Sequence, residues 1–175
     1  MSAYAQAHGV DGLCGLDLRT RRWHEDLSGY QPVPLVPTGG LLSLRPNEAG
    51  NNLLQTGWHA PETWGRWGEP HATLRFLPQG SEGTLRLTAR ALASPHPPAQ
   101  AQRVAVIANG SLAATWTLSA TPAEHQVLLP PPDAARDPVE FTFVAEDPAR
   151  PQDQNGAVDS RILGLGLIAV RLDWP

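Results

Sequence analysis

Three of the six tryptophans in this 175-residue chain fall within ten residues, in Gly57-Trp58-His59-Ala60-Pro61-Glu62-Thr63-Trp64-Gly65-Arg66-Trp67. Indole faces stack on the apolar C–H face of a pyranose, and Glu62, Arg66 and His59 could supply hydrogen bonds to ring hydroxyls. The same residues also suit a structural plug. Large aromatics are mostly buried, Pro61 would make a turn, and Glu62 and Arg66 would satisfy buried indole N–H or backbone groups. Trp58 and Trp64 would share a face of an extended strand, but the intervening Ala60-Pro61-Glu62 makes one continuous strand doubtful.

A second constellation is Asp159-Ser160-Arg161-Ile162-Leu163-Gly164-Leu165. Asp159 and Arg161 are two apart and project from one face of an extended segment. They can serve a sugar, or they can brace a loop by pairing with each other or with Glu62. Arg is well suited to such partly buried bidentate pairing. Trp58, Glu62, Trp64, Arg66, Trp67, Asp159 and Arg161 are therefore the candidate ligand-binding residues. Catalytic templates fail in turn: the chain has no G-x-S-x-G elbow, no Walker loop, no H-E-x-x-H and no G-x-G-x-x-G. Gly164-Leu165-Gly166 sits in an apolar run and lacks the third glycine. No two histidines pair at metal-ligand spacing, and one cysteine, Cys14, supports neither a disulfide framework nor a multi-thiolate zinc site. No catalytic residue, cofactor or metal is assigned. A structural calcium would have to use Asp153, Asn155 and Asp159.

These groups need elements to hold them, and the chain is punctuated throughout by eighteen prolines and sixteen glycines. Helices are unfavourable in such a background. Short segments with period-2 alternation lie between the breakers: 72–76, 85–91, 104–108, 112–118, 125–129, 139–145 and 163–172. Asn109-Gly110 joins two of them as a two-residue loop whose residues tolerate the positive φ of a type I′ turn, which predicts a hairpin over 103–118. Read literally, the alternation places Leu112, Trp116 and Leu118 on one inward face. The pattern predicts an all-β fold, an antiparallel, jelly-roll-like β-sandwich. Residues 1–45 read as a partly irregular N-terminal arm that contributes an edge strand or two to a single domain, with the sandwich proper at 46–175.

Composition narrows the partners. The net charge is −4, all thirteen basic residues are Arg, and the one dense basic run, Arg19–Arg22, is followed at once by Glu25 and Asp26. A nucleic-acid surface needs clustered positive charge that is missing here. No apolar run approaches the length of a membrane span, and the N-terminus has no secretory pattern, so a cytoplasmic location is expected.

The motifs together resemble a family of bacterial β-sandwich domains found with glycosyltransferases and other cell-surface polysaccharide enzymes. The resemblance is carried by Gly50-Asn51, by Gly57-Trp58 through Pro61-Glu62 and Trp64-Gly65-Arg66-Trp67, by Ala72-Thr73-Leu74, by Asn109-Gly110 with Trp116, and by Asp159-Ser160-Arg161-Ile162-Leu163-Gly164-Leu165. It departs at Gly68, where family members often carry Ser or Thr, and in the polar loop Gln152-Asp153-Gln154-Asn155-Gly156. The resemblance implies a jelly-roll-like, non-catalytic module that binds carbohydrate or assists polysaccharide synthesis, with a polysaccharide, a glycosyltransferase or another assembly protein as partner. The alternative is a scaffolding domain whose Trp-rich block is core. An indole face open to solvent beside free polar groups separates the first reading from the second.

Overall fold

The computed structural model describes residues 15–17, 22–24, 33–79, 83–95, 101–129, 138–151 and 159–174. The chain divides into two compact units, 1–32 and 33–175. In the first, β1 (Gly15–Asp17) and β2 (Arg22–His24) pair antiparallel.

The second unit is a β-sandwich. One sheet has the order β10 (Ala123–Leu129), β7 (Leu85–Leu92), β12 (Gly166–Asp173) and β4 (Leu41–Ser43), with the short β5 (Arg66–Trp67) also paired to β12. The other runs β3 (Leu35–Pro37), β6 (His71–Gln79), β11 (Val139–Ala145), β8 (Gln102–Ala108) and β9 (Ser111–Leu118). From β6 onward the chain changes sheet at every connection except the β8–β9 hairpin, which gives the jelly-roll habit. All pairs in the sandwich are antiparallel except β3 with β6, which is parallel. β3 and β4 lie within the 1–45 segment and take up edge positions, one in each sheet. No described helix is long and apolar enough to cross a membrane.

Period-2 alternation becomes the core directly. Leu85, Leu87, Ala89 and Ala91 face inward from β7, opposite Leu74 and Phe76 of β6 and Phe141 and Phe143 of β11, all fully buried. Phe76 and Phe141 stack with ring centroids 6.0 Å apart. The side where β9 meets β10 is closed by Trp116, whose Nε1 donates to the Gln126 carbonyl at 3.1 Å while its ring lies over His125. Burial lowers the His125 pKa below the ordinary imidazole value.

Two sequence expectations need correction. Trp116 and Leu118 are buried, but Leu112 is 68% exposed. The pairing explains it: Ile107 opposes Leu112 whereas Val106 opposes Ala114, so Ala113 is an extra residue and the register shifts there. A bulge inverts the parity of everything on its far side, and Leu112 moves to the outer face with Ile107. The closing strand also starts later than expected, at Gly166, because Leu163 bridges Ala149 instead of joining the sheet.

At the β8–β9 turn, Asn109 has φ 48° and Gly110 φ 81°, the left-handed pair that a type I′ turn requires. A Cβ at Gly110 would meet nothing within 4 Å, so a side chain there is opposed by backbone strain alone. Gly110→Val should lower stability by about 1–3 kcal/mol, whereas Gly110→Asn, a residue that tolerates this region, should cost less. Urea denaturation of the two variants checks the difference.

Candidate functional site

The structure divides the tryptophan block between two places. Glu62 and Gly65 exchange backbone hydrogen bonds (2.8 and 3.2 Å), so Thr63 and Trp64 form the tip of a tight turn and no strand connects Trp58 to Trp64. Trp58 packs on the main core, edge-on to Phe143 at 6.4 Å, and its Nε1 donates to the Thr73 carbonyl at 2.8 Å. Trp67 follows on β5, where its partner across the ladder is Gly166 and, beyond that, Leu92. Leu92 alternates with the inward residues of β7, so this row lies on the outer face of the sheet. Trp67 is buried there with Ala149 and Leu163, and half-buried Trp64 covers it with rings T-shaped at 5.0 Å.

Glycines make this seat possible. A Cβ at Gly166 would come within 2.8 Å of Trp67 and 3.0 Å of Trp64. Gly68 donates its N–H to Leu165 and Gly164 donates to Gly68, which locks the block to the connector that leads into β12. A Cβ at Gly68 would stand 2.9 Å from that of Ala72, so this chain has no room for the Ser or Thr of the resembling family. Gly164 and Gly166 were missed as site-forming residues. Their signal is two glycines inside an otherwise apolar run, the mark of close approach by another group.

Above the indoles sits a chain of four polar groups. Arg161 donates from Nε and Nη2 to the Asp159 carboxylate (2.7–3.1 Å) and from Nη1 to Glu62 Oε1 at 3.0 Å. The other oxygen of Glu62 accepts the indole N–H of Trp64 at 2.8 Å. The side chains of Glu62, Asp159 and Arg161 are each about one-third exposed. Of the five guanidinium N–H groups, one on each terminal nitrogen is left without a partner among the described residues. The hydrogen bonds from Arg161 hold the Asp159 pKa down at about 2, and the two carboxylates raise that of Arg161 above the ordinary guanidinium value. His59 braces the same connector through a ring nitrogen 3.1 Å from the Ile162 carbonyl.

The structure thus brings together Glu62, Trp64, Trp67, Asp159 and Arg161. Arg66 points to the other face of β5, paired with Leu167; its Nε is buried without a hydrogen-bond partner among the described residues, and burial lowers its pKa. Of the residues a structural calcium would use, Asp159 has its carboxylate turned to Arg161, and Asp153 and Asn155 lie outside the described residues.

Removing Arg161 strands two carboxylates that are neither exposed nor fully buried. Arg161→Ala should therefore cost about 1–3 kcal/mol, between the values for surface and buried pairs, and Arg161→Lys should recover little because it lacks the fork. Asp159 is depressed in the folded state, so its contribution is complete above the unfolded carboxylate value of about 4 and is lost as pH falls through about 2. Asp159→Asn should flatten that part of the stability–pH curve, which urea titrations between pH 2 and 5 would measure.

No family model matches the chain, and no curated protein is similar to it in sequence. Among solved structures, it is similar to the CBM36-1 domain of a multidomain xylanase from the hindgut metagenome of Trinervitermes trinervoides, with 11% identity over 78% of this chain and 97% of that one and a TM-score of 0.46. It is also similar to the carbohydrate-binding module CBM36 in complex with calcium and xylotriose, with 9% identity, 77% and 99% coverage and a TM-score of 0.42. A third is BtGH115A, a 4-O-methyl-α-glucuronidase with specificity for decorated arabinogalactans, of which this chain covers 18%, with 79% of its own length, 11% identity and a TM-score of 0.47. At these identities the ligands of those proteins do not transfer to this chain.

Proposed function

We propose that the chain is a non-catalytic carbohydrate-binding module, and that its ligand site is the rim formed by Trp64, Glu62, Arg161 and Asp159. The observation that carries this reading is one indole, half-buried on a buried neighbour, beside three one-third-exposed charged groups that retain hydrogen-bonding capacity. A fixed aromatic with adjacent donors and acceptors matches a pyranose, which presents C–H groups on one face and hydroxyls at its edge. The carboxylate pair argues against glycoside hydrolysis at this spot. A general acid needs a raised pKa, and Arg161 pushes Asp159 the opposite way. The resemblance to domains found with glycosyltransferases supports a place in surface polysaccharide synthesis. A scaffolding role is supported by the way the block is packed: Trp67 is buried, and the N–H groups of Trp58 and Trp64 are already bound within the protein.

A glycan array followed by fluorescence titration separates the two. Association costs and a single stacked ring suggest weak affinity, roughly 10 μM to 1 mM. Trp67→Ala should cost about 3–5 kcal/mol of stability as a buried aromatic truncation. Trp64→Ala should cost less stability than that but remove most of the binding. If no glycan binds the parent, the scaffold reading takes its place.

A further inference from the structure

The seat of Trp64 and Trp67 is only one end of an outer sheet face. Along β7 the outward residues after Leu92 are Arg90, Thr88 and Arg86, each step about 7 Å further on. Across the ladder, Arg90 lies beside Glu124, Thr88 lies between Gln126 and Arg171, and Arg86 lies beside Asp173. Three features of this row stand out. Thr88 is only 4% exposed, and its Oγ1 is buried with no hydrogen-bond partner among the described residues, although it sits on the outer face of the sheet. Arg86 and Arg90, on either side of it, form no ion pair among the described residues, and the Nε of Arg86 is also buried and unpartnered. The acid nearest Arg86 in the ladder, Asp173, is already taken by Arg171 at 2.8 Å.

The Thr88 hydroxyl and the Nε of half-buried Arg86, both unpartnered among the described residues, carry a desolvation cost that a ligand would relieve. Planar guanidinium groups match carboxylates in two-point fashion. Glu124 and Asp173 lie within the same face, so a dense polyanion would meet repulsion, while a saccharide with one carboxylate per ring would also offer hydroxyls to them. We infer that the outer face of this sheet binds an acidic, uronic-acid-containing saccharide, with Arg86 and Arg90 gripping its carboxylates around the Thr88 hydroxyl and with Trp64 at one end of the track. The inference rests on the carbohydrate-binding reading above and assigns it a ligand class.

The test compares polygalacturonate with its carboxyl-reduced, neutral form and with dextran sulfate, on the full chain, by isothermal titration and affinity electrophoresis. The parent should prefer polygalacturonate to the reduced form by at least tenfold. R86Q together with R90Q should erase that preference, bringing the affinities for the charged and the neutral form to within about twofold of each other. Thr88→Val keeps the shape of the side chain, so it should leave the melting temperature unchanged or higher and weaken saccharide binding. Equal binding of the two forms by the parent, an R86Q/R90Q variant that keeps its preference, or tighter binding to dextran sulfate would each overturn the acidic-saccharide assignment alone. A parent that binds none of these polymers, nor any glycan on an array, would overturn the carbohydrate reading with it.

Discussion

Glu62 and Arg161 are ninety-nine residues apart in the chain, and the guanidinium between Glu62 and Asp159 joins the segments that carry them. Backbone hydrogen bonds at Gly68 and Gly164 and the His59 ring also tie the two segments, but without the guanidinium two carboxylates would be left facing each other between them. With it, Glu62 is oriented so that its second oxygen holds the Trp64 indole. The position of the Trp64 ring therefore depends on a charge pair that leads back to the start of the last strand. An arginine is the suitable residue, because a single planar group must serve two acids at once.

Beneath that pair, the sheet itself had to be thinned. Gly166 leaves the space that Trp64 and Trp67 fill, and the Gly68–Gly164 contact brings two backbones closer than side chains would permit. The outcome is a small apolar cluster on the outside of the sandwich, separate from the main core and with polar groups along its rim. Bracing and ligand contact are not exclusive uses of such a site. A ring and a guanidinium held in one geometry before binding lose less entropy on binding than mobile ones.

The strands were legible because alternation between Leu85 and Ala91, or between Val139 and Ala145, reports burial on one face whatever the partner strand is. Asn109-Gly110 was legible for a local reason, since few residue pairs accept two positive φ angles in succession. Leu112 was misplaced because a bulge leaves no mark in an alternating run; only the pairing with Ile107 reveals it. In the candidate site, the Asp159–Arg161 pairing followed from a two-residue spacing. The separation of Trp58 from Trp64 did not, because it depends on the Glu62–Gly65 turn and on which cluster each ring can reach. Arg86, Thr88 and Arg90 showed their shared face in the sequence. That the acids beside them, Glu124 and Asp173, sit on β10 and β12, with Asp173 already paired to Arg171, is something no local pattern discloses.

Indole N–H resonances report on each tryptophan separately, which makes them the most direct probe of a site built on Trp64. In a two-dimensional ¹H–¹⁵N spectrum recorded while an array-selected oligosaccharide is titrated, the Trp64 Nε1–H and the Arg161 Nε–H should shift together along one saturation curve. The Trp116 Nε1–H, held to the Gln126 carbonyl where β9 of one sheet meets β10 of the other, should stay in place. Saturable shifts confined to other tryptophans, with Trp64 and Arg161 unmoved at full occupancy, would contradict the account.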